Sequence, residues 1–397
     1  MRVLFLTHRL PYAPNRGDRV RAHHVLKALR TFADVDLIAL VHDDDEAAHV
    51  ADLGALATTV TGVRVPKVRN LFRSALALPS SRPLSHTMLD GPDLHPAIAR
   101  LVAAHRPDVV LAFCTGIAHV VMRPPLSTLP LVLDMVDVDS AKWAALARTS
   151  AWPRSWIYER EARLLARFET EIAGRAFATL LTTKRERDTL RAMAPGARID
   201  VVQNGVDAEA LRPRGAPSAS QSVAFCGVMN YPPNEQGAVW LAREVWPRVR
   251  QTWPAATLEL VGSSPTPSVK ALASPEGGVV VTGHIDDVRP YLWGAAVAAA
   301  PLLTARGIQN KVLEAVAAGL PVVVTPVVSE GVPPEVRPAC VVADGPEAFA
   351  EALVRLLGRA PEERRRLASR ADVISISWDR RLAGLQETLA GAIRRQT

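Results

Sequence analysis

The sequence predicts an α/β protein made of two successive halves, each with a central parallel sheet. Short, β-branched apolar runs alternate with helical stretches along most of the 397 residues, and such runs are typical of strands buried on both faces of a parallel sheet. The alternation is interrupted at Leu211–Ser222, a stretch with two Pro, one Gly and three Ser, which indicates a linker. We therefore expect two Rossmann-like domains that face each other across a cleft, with a hinge near residues 205–220.

The first domain is predicted over residues 1–205. Its expected strands are Val3–Thr7, Val35–Val41, Val63–Val65, Asp108–Phe113, Leu131–Met135 and Thr179–Thr182. An amphipathic helix follows the first strand, and Lys142–Arg175 forms a long helical stretch that Pro153 interrupts.

The second domain is predicted over residues 206–371. Its expected strands are Val223–Cys226, Thr257–Val261, Val279–Thr282, Ala296–Leu302, Pro321–Thr325 and Cys340–Val342. Helices separate these runs, and terminal helices follow Asp344. We expect the last segment, 372–397, to form a helix that packs back on the first domain.

Composition and charge exclude several classes of protein. The 47 basic and 40 acidic side chains give a net charge of +7, which favours phosphate-bearing small molecules or a membrane surface. No zinc-finger spacing or basic tail points to nucleic acid. The three cysteines form neither a metal-ligand pattern nor a disulfide framework, so a cytoplasmic location is expected. The apolar stretches are too short for a signal peptide or a membrane span.

Two loops are candidates for binding an anion, because ligands of open parallel sheets lie at the carboxyl ends of the strands. The first loop follows the first strand and contains Gly17 and Arg19. The second loop opens the helix Ile308–Ala318, where Gly307 permits close backbone approach and Lys311 can place an ammonium beside a diphosphate. Glu314, one turn later, can accept two hydrogen bonds from a vicinal diol such as ribose. The absence of G-x-G-x-x-G argues against a nicotinamide or flavin enzyme.

The segment from Gly307 to Val323 reads G-x-x-x-K-x-x-E-A-x-A-x-G-x-P-V-V. It resembles the signature of group 1 (family 4-like) GT-B glycosyltransferases, which transfer sugars from nucleotide-sugar donors. Further matches follow in order: the loop with Gly17, Gln203–Asp207, Phe225–Gly227, Leu260–Gly262 and Thr282–Val288. Tyr231–Asn234 and Asp134–Trp143 also resemble a subgroup associated with bacterial exopolysaccharide and exosortase systems.

The resemblance implies a GT-B fold and a metal-independent, nucleotide-sugar-dependent transferase of the hexosyltransferase type, with no cofactor. It implies that Glu314 binds the donor ribose and that the base stacks near Thr282–Ile285. The donor-binding residues expected on these grounds are Gly17, Arg19, Asn204, Gly227, Asn234, His284, Arg306, Gly307, Ile308, Gln309, Asn310, Lys311 and Glu314.

Two departures from the family pattern concern charge. Arg306 stands where the family commonly has glutamate, which would suit an acidic sugar or a phosphate. The family's usual Arg and Lys after the glycine of the second domain are also missing, since Val228 follows Gly227. Lys311 and Arg306 would then carry the phosphate charge alone.

The end of the Leu131–Met135 strand supplies three carboxylates, and mutual repulsion can raise the pKa of one into the range of a general base. We predict Asp137 as that base, with Asp134 second, while Asp139 or Ser140 caps the helix that follows. His8 and His24 are lesser candidates. Retention of the anomeric configuration is the habit of the family, whereas a true aspartate base would point to inversion.

The leading hypothesis is a glycosyltransferase at the cytoplasmic face of a membrane, acting on a saccharide or lipid-linked acceptor. The Trp- and Arg-rich stretch Lys142–Arg175 and the basic, apolar segment Arg64–Arg82 are compatible with peripheral membrane contact. Domain packing is the alternative for the long helical stretch, and the sequence leaves both open. Two alternatives remain open: a catalytically silent sugar-nucleotide-binding or scaffold protein of this fold, and a GT-B sugar-nucleotide epimerase.

Overall fold

The computed structural model describes residues 1–12, 17–305 and 307–395. The chain divides into two compact units. The first consists of Met1–Gln203 together with Leu382–Thr397, and the second of Asn204–Arg381. The domain boundaries predicted from the sequence differ slightly, since they fall between residues 205 and 206 and between residues 371 and 372.

The first unit contains, in its described residues, a seven-stranded sheet with the order β3-β2-β1-β4-β5-β6-β7. Every neighbouring pair is parallel, so all the carboxyl ends lie at one edge. The strands are β1 (Arg2–Thr7), β2 (Asp34–Val41), β3 (Thr59–Arg64), β4 (Val109–Phe113), β5 (Leu131–Val136), β6 (Ala178–Leu181) and β7 (Ile199–Val201). The helices are α1 (Gly17–Arg30), α2 (Asp44–Ala48), α3 (Lys67–Ala77), α4 (Leu84–Met88), α5 (Leu94–Ala104), α6 (Thr115–Ala118), α7 (Asp139–Thr149), α8 (Arg154–Arg175) and α9 (Lys184–Met193).

The N-terminus of α7 corrects one prediction. Neither Asp139 nor Ser140 caps this helix; Val138 occupies the N-cap position, without a side-chain hydrogen bond of its own. Carboxylates from two other helices bind the first amides instead. Val138 N donates to Glu186 Oε2 at 2.8 Å, and Ser140 N donates to Glu169 Oε1 at 3.1 Å. These carboxylates from other helices take the place of a local side-chain cap.

The second unit contains, over its described residues, a six-stranded sheet with the order β10-β9-β8-β11-β12-β13, again parallel throughout. Its strands are β8 (Ser222–Cys226), β9 (Thr257–Val261), β10 (Val279–Val281), β11 (Val297–Ala300), β12 (Val322–Val324) and β13 (Cys340–Val342). Its helices are α10 (Ala208–Leu211), α11 (Pro232–Trp240), α12 (Trp246–Thr252), α13 (Pro267–Lys270), α14 (Arg289–Gly294), α15 (Asn310–Ala317), α16 (Pro326–Glu330), α17 (Gly345–Leu357), α18 (Pro361–Ala368) and α19 (Trp378–Arg381).

The predicted linker Leu211–Ser222 lies within the second unit and is held there by hydrogen bonds. Ser218 Oγ donates to the carbonyl of Gly294 at 2.6 Å, and Arg364 Nη2 donates to the carbonyl of Ser218 at 2.7 Å. Pro and Ser in this stretch therefore mark an ordered entry into β8.

The last helix, α20 (Leu385–Arg394), belongs to the first unit, where it lies beside β4 and β5. Its Leu385, Leu389 and Ala392 are buried, which is the apolar stripe of a helix packed on a sheet. Among the described residues, no helix is both long and apolar enough to cross a membrane.

Candidate functional site

The loops at the carboxyl edge of the second sheet are packed closely enough to require glycine. Gly262 follows β9 with φ +145°, and a Cβ there would lie 1.8 Å from the carbonyl oxygen of Gly227, which follows β8. Gly227 N donates to the carbonyl of Val261 at 2.9 Å, and Gly262 N donates to Thr282 Oγ1 at 3.1 Å. The ends of β8, β9 and β10 therefore form one continuous backbone surface.

Lys311 projects from the first turn of α15 onto this surface. Its Nζ lies 2.5 Å from Asn234 Oδ1 and 4.9 Å from the centre of the Phe225 ring. A Cβ on Gly227 would lie 2.7 Å from Asn234 Nδ2 and 3.3 Å from Lys311 Nζ, so the missing side chain leaves room for the ammonium. The structure thus brings together three predicted site residues, Gly227, Asn234 and Lys311.

Burial controls the charge of the groups around Lys311. Desolvation lowers the pKa of Lys311 to about 8, although the neighbouring Glu314 carboxylate acts in the opposite direction. Burial also raises the pKa of Glu314, which the Lys311 charge partly offsets. The Cys226 thiol is protonated at neutral pH because burial raises its pKa to about 12. The site therefore contains the Lys311 ammonium and, one turn later on the same helix, the Glu314 carboxyl group with a raised pKa.

The entry to α15 contains four more of the predicted residues. Gln309 occupies the N-cap position, and Asn310 Oδ1 accepts a hydrogen bond of 3.3 Å from Asn204 Nδ2. Gly307 has φ +69°, and Ile308 packs against the core of the second unit. Arg306 lies outside the described residues.

His284 is not drawn into the cluster around Lys311 by any contact that the structure describes. It is 68% exposed, and its Nε2 lies 3.5 Å from Asp286 Oδ1. A ring this exposed is available to stack on a planar group.

The two site residues predicted in the loop after β1 lie in the first unit. Gly17 is the first residue of α1. Arg19 is buried, with its Nη2 2.7 Å from Glu46 Oε1 and its guanidinium 4.4 Å above the Tyr12 ring. The Arg19 charge is thus bound by a buried carboxylate of the same unit. Residues 13–16 of this loop lie outside the described residues.

The two candidate bases differ sharply in environment. Asp134 is 1% exposed, and both its oxygens accept from Arg21 Nε, at 3.1 and 2.9 Å. Burial raises the pKa of Asp134, and the ion pair with Arg21 opposes that rise. Such burial argues against contact with an acceptor.

Asp137 reaches the surface, with 29% of its side chain exposed. Its Oδ2 lies 3.1 Å from Lys142 Nζ, and its Oδ1 accepts a hydrogen bond of 3.0 Å from Thr182 Oγ1. Burial lowers the pKa of Lys142, but the carboxylates of Asp139 and Asp137 outweigh it and raise this pKa above its usual value. Asp137 is thus the accessible member of the predicted pair of bases.

Sequence reasoning missed two contributors to the second-unit site. Phe225 supplies the ring below the Lys311 ammonium. Gly331 permits a backbone approach, because a Cβ there would lie 2.3 Å from the carbonyl oxygen of Gly307. Phe225 directly precedes the Cys226-Gly227 pair, so its position at the end of a predicted strand could have indicated a place in the site. The Gly331 contact joins residues 24 positions apart, and nothing local indicates it.

Within the described residues, no group of three or more His, Cys, Asp or Glu side chains is arranged to hold a metal ion. The charged features that stand in the second-unit site are Lys311 and Glu314.

The fold is that of GT-B glycosyltransferases, as solved structures of similar shape indicate. Sucrose-phosphate synthase from Thermosynechococcus elongatus superposes with a TM-score of 0.70 at 17% identity, over 100% of both chains. HepE from Anabaena, solved with UDP and glucose, gives 0.63 at 16%, over 98% of this chain and 99% of its own. WaaG, a glycosyltransferase involved in lipopolysaccharide biosynthesis, gives 0.58 at 16%, over 99% and 98%. At these identities the likeness shows the fold.

Residues 220–359, which include the whole Lys311 site, match the family model described as Glycosyl transferases group 1. The second unit therefore contains a group 1 glycosyltransferase domain. The match confirms the family resemblance found in the sequence and, with it, the prediction of a glycosyltransferase. No curated protein matches the chain in sequence.

Proposed function

We propose that the chain moves a sugar from a nucleotide-sugar donor to a saccharide or lipid-linked acceptor, and that the donor binds at Lys311 and Glu314. The observation that carries the proposal is the Lys311 ammonium, held by Asn234 beside Gly227 at the carboxyl ends of the strands. A diphosphate placed there would meet a desolvated cation and the N-terminus of α15.

Glu314 is the candidate ribose ligand. It lies near Lys311, and burial raises its pKa, so a donor that supplies two hydroxyl hydrogen bonds would compensate the buried charge. HepE has been solved in complexes with UDP and with UDP-glucose, which supports a nucleotide-sugar donor for this chain. His284 is the exposed ring on which the base would stack.

In the proposed reaction, the bond between the anomeric carbon and the diphosphate breaks and a bond to the acceptor hydroxyl forms. Lys311 neutralises charge on the leaving diphosphate, so the proposal requires neither a metal ion nor a cofactor. We place the reaction on the retaining course, in which the hydroxyl proton passes to the leaving phosphate oxygen. Asp137 would then position the acceptor; if it takes the proton itself, the product is inverted.

The proposed setting is bacterial exopolysaccharide or other cell-surface glycan synthesis, at the cytoplasmic face of the membrane. Two considerations support it. The Tyr231–Asn234 stretch resembles the exopolysaccharide subgroup, and in the structure it presents Asn234 to Lys311. WaaG, of the same fold, is involved in lipopolysaccharide biosynthesis.

The test is metal-free calorimetry and thermal shift with UDP, GDP, ADP and their sugars. One nucleotide is expected to raise the unfolding temperature of the wild type. Lys311→Ala and Glu314→Gln are each expected to weaken the binding of that nucleotide by about tenfold or more, since each variant loses a charged contact. Turnover of that donor, followed by the anomeric configuration of the product, separates retention from inversion.

Two matched controls lie on the surface of the same unit. Lys270→Ala and Glu351→Gln remove an exposed lysine and an exposed glutamate, and both should leave binding unchanged. If a control variant weakens nucleotide binding as much as the site variant that it matches, the assignment of the site is contradicted. Binding without turnover would favour the silent protein, and conversion of the donor without an acceptor would favour the epimerase.

A further inference from the structure

Helix α3 exposes its apolar face to solvent and buries its polar face, the reverse of a helix packed on a hydrophobic core. Four of its large apolar side chains face solvent: Val68 is 71% exposed, Leu71 62%, Phe72 69% and Leu76 80%. Their spacing of three and four residues places them along one side of the helix. A contiguous apolar stripe of this kind marks an interaction surface.

The opposite face of α3 is polar and buried. Asn70 is fully buried, and its Nδ2 donates to the carbonyls of Met88 and Asp90 at 3.0 and 2.7 Å. Ser74, one turn later, is also buried. Because the polar face is fixed to α4 by these bonds, α3 cannot roll to cover its apolar stripe.

Two buried residues of α8 hold α3 and α4 in position through hydrogen bonds to their backbone. Arg160 Nη2 donates to the carbonyl of Ala77, the last residue of α3, at 3.0 Å, and to those of Ser80 and Arg82 just beyond it, at 2.5 and 3.1 Å. Glu161 accepts from the backbone N of Leu84 and of Ser85 at the start of α4, at 2.7 and 2.8 Å. The exposed stripe is therefore held rigidly outward.

Positive charge surrounds the stripe. The segment Arg64–Arg82 contains five basic side chains and no carboxylate. Three of them are paired with carboxylates from outside the segment, Arg64 with Asp44 and both Arg73 and Arg82 with Asp90, whereas Lys67 and Arg69 are exposed beside the stripe. Beside the end of α3, the exposed Arg163 and Arg167 and the Trp156 ring line an open depression of about 610 Å³. A second tryptophan, Trp152, is 82% exposed just before α8.

We propose that α3 is a membrane-docking helix whose apolar stripe (Val68, Leu71, Phe72 and Leu76) enters the interface of a bilayer rich in anionic phospholipid. Insertion would remove the stripe from water, and the flanking Lys and Arg side chains would meet lipid phosphates. Trp156 and Trp152 are of the residue type that favours the interface. Charge complementarity selects an anionic lipid surface, because exposed cations flank the stripe: Lys67 and Arg69 on α3, and Arg163 and Arg167 beside its end.

The experiment is flotation of the full chain with vesicles of phosphatidylcholine alone and of phosphatidylcholine with phosphatidylglycerol. We expect binding to the mixed vesicles that is about tenfold or more stronger than to phosphatidylcholine and that weakens with salt. The triple variant Leu71→Gln/Phe72→Gln/Leu76→Gln should lose about tenfold or more of that binding. Lys67→Glu/Arg69→Glu should lose the preference for the anionic lipid.

A matched control is Ile374→Gln, which removes an apolar side chain 71% exposed in the second unit and should leave vesicle binding unchanged. All variants change surface residues, so their unfolding temperatures and nucleotide binding should equal those of the wild type, which separates this proposal from the donor site. Absence of flotation, or flotation that the triple variant retains, would overturn it. Self-association in sedimentation velocity that the triple variant abolishes, without flotation, would assign the stripe to a second copy of the chain.

Discussion

At the scale of single residues, the charge of Lys311 depends on the desolvation of its ammonium group. The ammonium has Asn234 Oδ1 at 2.5 Å and the Phe225 ring at 4.9 Å, and desolvation lowers its pKa to about 8. A bound diphosphate would compensate that desolvation and return the pKa toward the usual value of lysine. Ligand binding and protonation at this residue are therefore linked.

The linkage predicts a pH dependence of nucleotide binding. The free site loses its ammonium as pH rises through about 8, so the Kd of the preferred nucleoside diphosphate should rise about tenfold between pH 7 and pH 9. Lys311→Arg keeps its charge throughout and should flatten the profile. Calorimetry at each pH measures both; a Lys311→Ala variant with the same slope as the wild type would disprove the link.

The sequence predicts Lys311 and Glu314 because both lie in one local pattern that begins at a strand end and turns into a helix. It does not predict their partners. Asn234 is 77 residues from Lys311, and Arg21 is 113 residues from Asp134. Contacts of this length depend on the packing of the whole unit, so Asp134 and Asp137 look equivalent as sequence but only one reaches the surface.

At the scale of secondary-structure elements, the N-termini of α4 and α7 are capped by carboxylates from other helices. The amides that open α4 bind Glu161 of α8, and those that open α7 bind Glu169 of α8 and Glu186 of α9. Burial raises the pKa of Glu169 to about 7, so one of these caps sits near its titration point at neutral pH. Helix α8 is thereby the element that fixes its neighbours.

The capping role of Glu161 predicts a large loss of stability on its removal. Ser85 Oγ also donates to Glu161 Oε1, at 2.7 Å. Glu161→Ala leaves this hydroxyl and two backbone donors without their acceptor and should lower the free energy of unfolding by about 2–4 kcal/mol. Glu159→Ala, an exposed glutamate on the same helix, should change it by less than about 0.5 kcal/mol. Denaturant titration compares the two; hydrogen exchange should quicken at α4 in the first variant alone, and equal costs would refute the cap.

Strands with mostly apolar residues were predictable, and a short strand with a polar centre was not. Strands β9 and β13 have the predicted bounds, because β13 is apolar throughout and Leu258, Leu260 and Val261 of β9 outweigh the central Glu259. Strand β7 (Ile199–Val201) was missed because it has three residues with Asp200 at its centre. The single helix predicted for the last segment, 372–397, is two helices, α19 and α20, and the break falls where the chain leaves the second unit.

At the scale of the whole molecule, each unit has its own sheet and its own hydrophobic core. The first unit is discontinuous in sequence, because α20 belongs to it while Asn204–Arg381 forms the second. A local composition signal can mark the end of an apolar pattern, as at Leu211–Ser222, but it cannot show which unit a segment packs into.

This division predicts that core mutations act within one unit. Leu389 of α20 is fully buried, and Leu389→Ala should cost the first unit about 2–5 kcal/mol, with faster hydrogen exchange in β4 and β5. Leu353→Ala, which truncates an equally buried leucine of α17, should act on the second unit alone. Exchange that quickens in both units for either variant would show that they unfold together.

The place of α20 also has a consequence in time. During synthesis the ribosome releases residues in order, so the seven strands of the first sheet emerge well before the helix that lies on β4 and β5. The intervening residues 204–381 occupy roughly ten to forty seconds at ordinary elongation rates. Throughout that interval the surface that Leu389 will cover stays open, so we expect the nascent first unit to expose apolar surface of the kind that chaperones bind. The second unit, continuous in sequence, needs no later segment to complete it.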